Sequence, residues 1–380
     1  MNIGIVCYPT YGGSGVVATE LGKALANRGH KVHFITYREP ARLLDTFNAN
    51  IFYHEVSLAD YPLFEFAPYE TALASKLVDV ALHDNLDIFH VHYAIPHASA
   101  AYMAKQILAT KGKEIPVITT LHGTDITLVG KDPTYEPVVT YSINHSCGVT
   151  AVSEDLKRDT LSHFQIEKDI KVIPNFIDFS RFKKTNKEHF RKAIAPNGEK
   201  ILIHTSNFRK VKRIEDVVRV FSQVQKEIPA KLLLIGDGPE RQHIEILARS
   251  ICKIEDIRFL GRQDAVEELL AISDIFLMPS ESESFGLAAL EAMACEVPVV
   301  SSNAGGIPEV NIDGVTGFVL PIGNVAGMTE KCLYLLQNDD ILEQFRKNAY
   351  QNALKYKIEN IVPMYEDFYK EMYYPCKELQ

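Results

Sequence analysis

The sequence predicts an α/β protein made of two doubly wound parallel sheets. Short apolar, β-rich runs alternate with amphipathic helical stretches almost from end to end. Near-continuous apolar strands separated by helices imply parallel sheets covered on both faces. The rhythm pauses once, over 174–200, where Lys, Asn and Pro accumulate, and then restarts. With 380 residues the chain exceeds one ordinary core and suits two domains of roughly 150 to 200 residues each.

In the first half, strands are expected at 2–7, 31–36, 51–55, 87–92, 116–121, 148–152 and 170–173, with helices at 16–27, 71–84 and 98–110. After the pause, strands are expected at 201–205, 231–235, 257–260, 275–278 and 297–301, with helices at 214–227, 240–250, 266–271 and 287–294. The expected domains are therefore 1–175 and 201–357, with 176–200 as a linker region. From 326 onward the tail reads as helical, and its aromatic-rich stretch 365–374 requires a surface to pack on. Residues 358–380 are accordingly expected to return to the first domain. Two such sheets would face each other across an interdomain cleft.

Hydrophobic residues make up 46% and charged residues 23%, an ordinary globular balance. No apolar stretch approaches the ~20 residues that cross a bilayer. The chain opens directly on a strand-like run, without the basic segment and long apolar core of a signal peptide. Cys7, Cys147, Cys252, Cys295, Cys332 and Cys376 form no Cys-x-x-Cys pair. Reduced thiols in a cytoplasmic protein are expected rather than a disulfide framework or zinc knuckle. The net charge of −9 argues against broad electrostatic capture of nucleic acid or an anionic membrane.

Ligands of open parallel sheets bind at the carboxyl ends of strands, and four segments fall there. The loop Tyr11-Gly12-Gly13-Ser14-Gly15 follows the first strand and precedes a helix, so it is either a tight turn or a close backbone approach to an anion. It lacks the Gly-x-Gly-x-x-Gly spacing of dinucleotide binders. Leu121-His122-Gly123-Thr124-Asp125 puts His122 at a strand's carboxyl end, where active-site groups collect. His92-Tyr93 ends the preceding strand, whereas His30, His90 and His204 sit in cap or strand contexts that suit structural roles.

The third segment, Ser206-Asn207-Phe208-Arg209-Lys210-Val211-Lys212-Arg213, concentrates cations in an otherwise acidic chain. Such a run is usually a solvated face, but Arg209 and Lys212 are spaced to meet one anion. Fixed cations there would stabilise the charge growing on a departing diphosphate. The fourth, Glu281 to Glu291, ends a strand at Pro279 and enters a helix over Ser284, Phe285, Gly286 and Leu287. Glu283 would lie beside free helix N–H donors. Glu291, set among Leu290, Ala292, Met293 and Ala294, is a carboxylate in an apolar helix that calls for a partner. A capping Ser-x-x-Glu arrangement with solvated acids is the plainer alternative. The turns Gly236-Asp237-Gly238-Pro239 and Gly261-Arg262-Gln263 are candidate walls of a base pocket.

Glu283 and Glu291 in this spacing, with "GDGPE", "EAMACEVPVV", "GGIPEV" and "GVTGFV", resemble the retaining glycosyltransferases of family 4, which have the GT-B fold. The resemblance covers essentially the whole chain. More narrowly, "CYPTYGGSGVVATELGKALANRGHKVHFIT", "HYAIPHA", "TLHGTDIT" and "SNFRKVKR" resemble the bacillithiol-pathway branch of that family. That resemblance implies transfer of N-acetylglucosamine from UDP-GlcNAc to the hydroxyl of L-malate. It also implies that no cofactor or metal is required, and it leaves room for a homo-oligomer.

Carried over by position, Glu283 would contact the hexose, Glu291 the ribose, and Arg209 and Lys212 the diphosphate, with His122 near the transferred sugar. Gly13, Asn207, Gly238, Arg262, Ser284, Phe285, Gly286 and Leu287 complete the implied donor set. Ser14, Tyr93, Thr120 and His122 are the acceptor candidates. The family often has arginine where Asn207 stands, which would shift the phosphate clamp onto Arg209. Other readings are a dinucleotide-dependent oxidoreductase, a UDP-sugar epimerase on the same fold, a noncatalytic sugar-nucleotide-binding module, or a transferase acting on inositol phosphate, on a lipid or from another UDP-hexose.

Overall fold

Alternation of buried strand and covering helix is what the computed structural model contains. It describes residues 1–10, 12–40, 42–43, 47–58 and 65–377. Tyr11 of the glycine loop and the last residues of the expected return helix, 378–380, lie outside these.

The first part runs β1 (Asn2–Val6), α1 (Gly13–Asn27), β2 (Lys31–Thr36), β3 (Ile51–Glu55), α2 (Tyr69–His83), β4 (Ile88–His92), α3 (Ser99–Ala109), β5 (Val117–Leu121), α4 (Glu136–His145), β6 (Gly148–Ala151), α5 (Glu154–His163) and β7 (Ile170–Val172). Among the described residues these strands form one parallel sheet in the order β3-β2-β1-β4-β5-β6-β7. The order reverses direction between β1 and β4, the switch point where doubly wound sheets bind ligands.

The second part runs α6 (Glu188–Ile194), β8 (Lys200–Thr205), α7 (Ile214–Glu227), β9 (Ala230–Ile235), α8 (Arg241–Ile251), β10 (Ile257–Gly261), α9 (Val266–Ala271), β11 (Ile275–Met278), α10 (Leu287–Ala294), β12 (Val299–Ser302), α11 (Ile307–Val310), β13 (Gly317–Leu320), α12 (Val325–Leu336) and α13 (Asp339–Ala353). Its strands are again parallel, in the order β10-β9-β8-β11-β12-β13, with the switch between β8 and β11. The expected pair of doubly wound sheets is borne out.

Each unit has its own core. In the first, Leu73, Leu77 and Val80 of α2 pack with Phe89 and Val91 of β4. In the second, Val217, Val218 and Phe221 of α7 pack with Leu232 and Leu234 of β9. Caps fix helix starts where the sequence supplies them. Ser153 Oγ accepts the Leu156 amide at 3.0 Å at the head of α5, and Asn324 Oδ1 accepts the Gly327 amide at 2.9 Å at the head of α12.

The chain divides into 1–175 together with the residues from Ile358 onward, and 176–357. The stretch 176–200, expected as a linker, falls inside the second unit and contains α6. No residue of α6 is buried, so no apolar periodicity announces it. Ion pairs hold it and its approach: Arg181 to Glu267 at 3.1 Å, Lys187 to Glu268 at 2.8 Å and Arg191 to Asp274 at 2.8 Å.

The last helix, α14 (Ile358–Lys377), belongs to the first unit. Tyr365 and Tyr369 are both 0% exposed. The Tyr369 hydroxyl meets His90 Nδ1 at 2.7 Å, and Glu366 takes two hydrogen bonds from Arg28, at 2.8 and 2.7 Å. The Arg28 guanidinium, with help from His30, holds the Glu366 carboxyl below its ordinary range. A carboxylate depressed in the folded state contributes stability above the unfolded pKa and loses it as pH falls through the folded one. Acidification from about pH 5 to about pH 3 is therefore expected to reduce amide-exchange protection in α14. Glu366→Gln should be less protected at neutral pH and show less of this acid dependence. Equal protection in both proteins at every pH would refute the assignment.

Candidate functional site

In the first unit the candidates gather where β1, β4 and β5 end. Gly12 is extended and Gly13 opens α1 with no side-chain cap among the described residues. Tyr93, directly after β4, has a φ of 87°. That turn aims its hydroxyl at Ser14, to whose Oγ it donates at 2.7 Å. Burial pushes the Tyr93 phenol up to about 12, so it works as a neutral donor. Its ring lies 5.3 Å from the His122 ring, centroid to centroid.

His122 is held from beneath. Its Nε2 shares a hydrogen with His92 Nδ1 at 2.8 Å, and the His92 carbonyl accepts from His97 Nδ1 at 2.5 Å. Because a carbonyl can only accept, His97 carries its proton on Nδ1. Burial drives all three imidazoles towards the neutral form, His122 to about 3, with the neighbouring His97 adding to the effect. At neutral pH this is an uncharged hydrogen-bonding group and no fixed cation.

Asp125 ties the loops together. It accepts from the Ala94 amide at 2.9 Å and the Gly123 amide at 3.0 Å, pinning the turn after β4 to the turn after β5. Burial raises its carboxyl to about 6 against the lowering effect of those amides. His92, His97 and Asp125 were not among the residues assigned from sequence. An aspartate two residues past a glycine at a strand end is a turn-forming signal that could have marked the last of them.

Thr120 lies deeper than the other acceptor candidates. Its hydroxyl is 0% exposed and meets His90 Nε2 and Thr150 Oγ1, both at 2.7 Å. These bonds place the side chain in the buried layer that α14 covers, apart from the loop that carries Ser14 and Tyr93. His90 is structural, with both ring nitrogens used within that layer.

In the second unit the candidates gather where β8, β9, β10 and β11 end. His204 Nδ1 donates to the Leu277 carbonyl at 2.8 Å while its Nε2 meets Ser206 Oγ at 2.8 Å, which locks the exit of β8 against β11. Asn207 and Arg209 are exposed, and a short turn over Lys210–Lys212 leads into α7. Lys212 Nζ contacts Glu283 Oε2 at 2.6 Å, and the Glu281 amide donates to the Val211 carbonyl at 2.7 Å. The basic turn and the acidic loop thus form one constellation.

Ser284 to Leu287 carry the chain into α10 through Gly286, whose φ is 95°. The Phe285 ring is buried edge-on against Tyr356, centroids 5.6 Å apart, so its side chain is used in packing. Glu291 lies on the second turn of α10, half-buried. The Gly236–Gly238 turn packs backbone on backbone. A Cβ at Gly236 would stand 1.8 Å from the Ser206 carbonyl oxygen, and one at Gly238 2.8 Å from that of Asn207. Gly238 is thereby explained by close approach. The Gly236 amide also donates to the Gly261 carbonyl at 2.7 Å, which brings exposed Arg262 next to this turn. Among the described residues, the one group able to hold a metal, His33, His54 and Asp84, contains none of these candidates.

Comparison with known proteins agrees with this layout. The family model described as Glycosyltransferase Family 4 matches 11–181, and that described as Glycosyl transferases group 1 matches 185–352. The chain is 46% identical over 374 residues to the N-acetyl-alpha-D-glucosaminyl L-malate synthase of Bacillus anthracis, covering 98% of this chain and 97% of that one. It is 26% identical to an uncharacterized glycosyltransferase of Methanocaldococcus jannaschii, covering 94% of each. Among solved structures, Anabaena HepE in complex with UDP-glucose superposes with a TM-score of 0.83 at 20% identity, covering 98% of this chain and 100% of that one. Sucrose-phosphate synthase from Thermosynechococcus elongatus gives 0.80 at 20%, covering 99% and 100%. At that identity the likeness shows the fold.

Proposed function

Because this chain belongs to the family 4 glycosyltransferases of the GT-B fold, we propose that it moves N-acetylglucosamine from UDP-GlcNAc to the hydroxyl of L-malate, with retention, as the first step of bacillithiol biosynthesis. The reading is carried by the 46% identity to a synthase of that product over 98% of this chain.

The proposed roles follow the two halves. In the second unit Glu283 holds the hexose, Glu291 the ribose hydroxyls, and Arg209 with Lys212 the diphosphate, beside the amides of Ser284 to Leu287. Asn207, Gly238 and Arg262 border the nucleotide. In the first unit Ser14, Tyr93 and neutral His122 are the acceptor contacts, and the amide at Gly13 offers a donor to an anion. The bond from the anomeric carbon to the UDP oxygen breaks as the bond to the malate oxygen forms on the same face. The malate proton passes to the departing phosphate oxygen. Cations and helix amides neutralise the diphosphate, so the proposal includes no metal. The proposed setting is the cytoplasm, whose reducing conditions suit the free thiols of Cys7, Cys147, Cys252, Cys295 and Cys332. Among the described residues no helix is long and apolar enough to cross a membrane.

Acceptor choice tests the proposal. A site built from hydroxyl, imidazole and amide donors rejects analogues that leave those donors unpaired. UDP release from UDP-GlcNAc is expected with L-malate, weakly with lactate, and not with inositol phosphate or with succinate, which has no hydroxyl to take the sugar. Equal release with inositol phosphate would overturn the malate assignment and leave the transferase intact. Release independent of any acceptor would favour an epimerase or hydrolase.

A further inference from the structure

We propose that the edge of the first sheet carries a divalent transition-metal site of the zinc class, built by His33, His54 and Asp84. His33 projects from β2, His54 from the neighbouring edge strand β3, and Asp84 is the residue that closes α2. One ligand atom from each lies within 4.8 Å of the other two. His33 Nδ1 is 2.9 Å from His54 Nε2, and His54 Nε2 is 4.0 Å from Asp84 Oδ2. Two imidazoles and a carboxylate are the ligand set of an open zinc site, in which metal–ligand distances near 2.0–2.1 Å place neighbouring ligand atoms about 3.3 Å apart. The nitrogen pair has to open by about 0.4 Å and the carboxylate to close by about 0.7 Å towards His54, which side-chain rotation of partly exposed Asp84 supplies.

His33 is 2% exposed, so packing around the ring holds it in place. Phe52 stacks on the same ring at 4.6 Å, centroid to centroid, and fixes its orientation. Asp84 is 36% exposed at its side chain and His54 19%, which leaves an entry path and an open coordination position. No residue of the site proposed for sugar transfer takes part. The bound ion would act as a clasp between the edge strand and the end of α2.

Metal-stripped full-length protein titrated with Zn2+ tests this, with Co2+ as the spectroscopic probe. One ion per chain, visible cobalt bands and a raised melting temperature are expected. Asp84→Asn, at a partly exposed position that should fold normally, should bind at least about tenfold more weakly, and His54→Gln should lose the cobalt bands. UDP release should be unchanged in both. Absence of stoichiometric zinc binding, or binding that survives both substitutions, would overturn the proposal.

Discussion

Lys212→Ala is expected to lower kcat for malate-dependent UDP release by about 10²–10³-fold, with a much smaller rise in the KM for UDP-GlcNAc. Lys212 is half-buried, on the turn after β8, with its ammonium 2.6 Å from Glu283. In the proposed reaction the diphosphate gains charge as the glycosidic bond breaks. A cation fixed beside it gains more interaction with the transition state than with the bound donor. Lys212→Arg should recover part of the rate, because charge is restored with different reach. A rise in KM at constant kcat would make Lys212 a ground-state binder and remove it from catalysis.

Gly236→Ala should cost about 3 kcal/mol or more, which for a unit of this size lowers its melting temperature by roughly 6–12 °C. Two penalties add. The φ of 122° is one that side chains rarely adopt, and the new methyl would sit 1.8 Å from the Ser206 carbonyl oxygen. The obstacle is backbone, so relief requires the turn to leave the loop that carries Asn207 and Arg209. Differential scanning calorimetry of the full chain reads the shift, and UDP affinity should fall with it. A melting temperature within a degree or two of the parent would show that the turn relaxes freely.

The central parallel strands were legible because burial on both faces leaves them largely apolar, and β4 could be read even with His90 and His92 in it. The helix α6 was not legible, since an ion pair to Asp274, with pairs to Glu267 and Glu268 from the chain leading into it, holds it in place of an apolar stripe. Short β13, opened by a glycine, carried too little apolar pattern to register as a strand. For the site, strand ends were a sound guide to position and a poor guide to depth. Thr120 and His122 share a face, yet Thr120 lies one level deeper, in the layer under α14, and His122 lies at the loop beside Tyr93. The chain His97–His92–His122 was hidden for another reason. One of its links passes through a backbone carbonyl, and no side-chain spacing encodes that.

The return of α14 to the first unit has a consequence for how the protein is made. His90 finds Tyr369 across 279 positions of chain, so the first sheet is synthesised long before the helix that covers its layer of His90, Thr120 and Thr150. While the ribosome translates residues 176–357, that polar layer is without Tyr369, the partner of His90. The second unit, continuous in sequence, has all its strands before the first is complete. The order of completion is therefore inverted with respect to the order of synthesis. A nascent chain halted ahead of Tyr365 would hold a finished second unit and an unfinished first one.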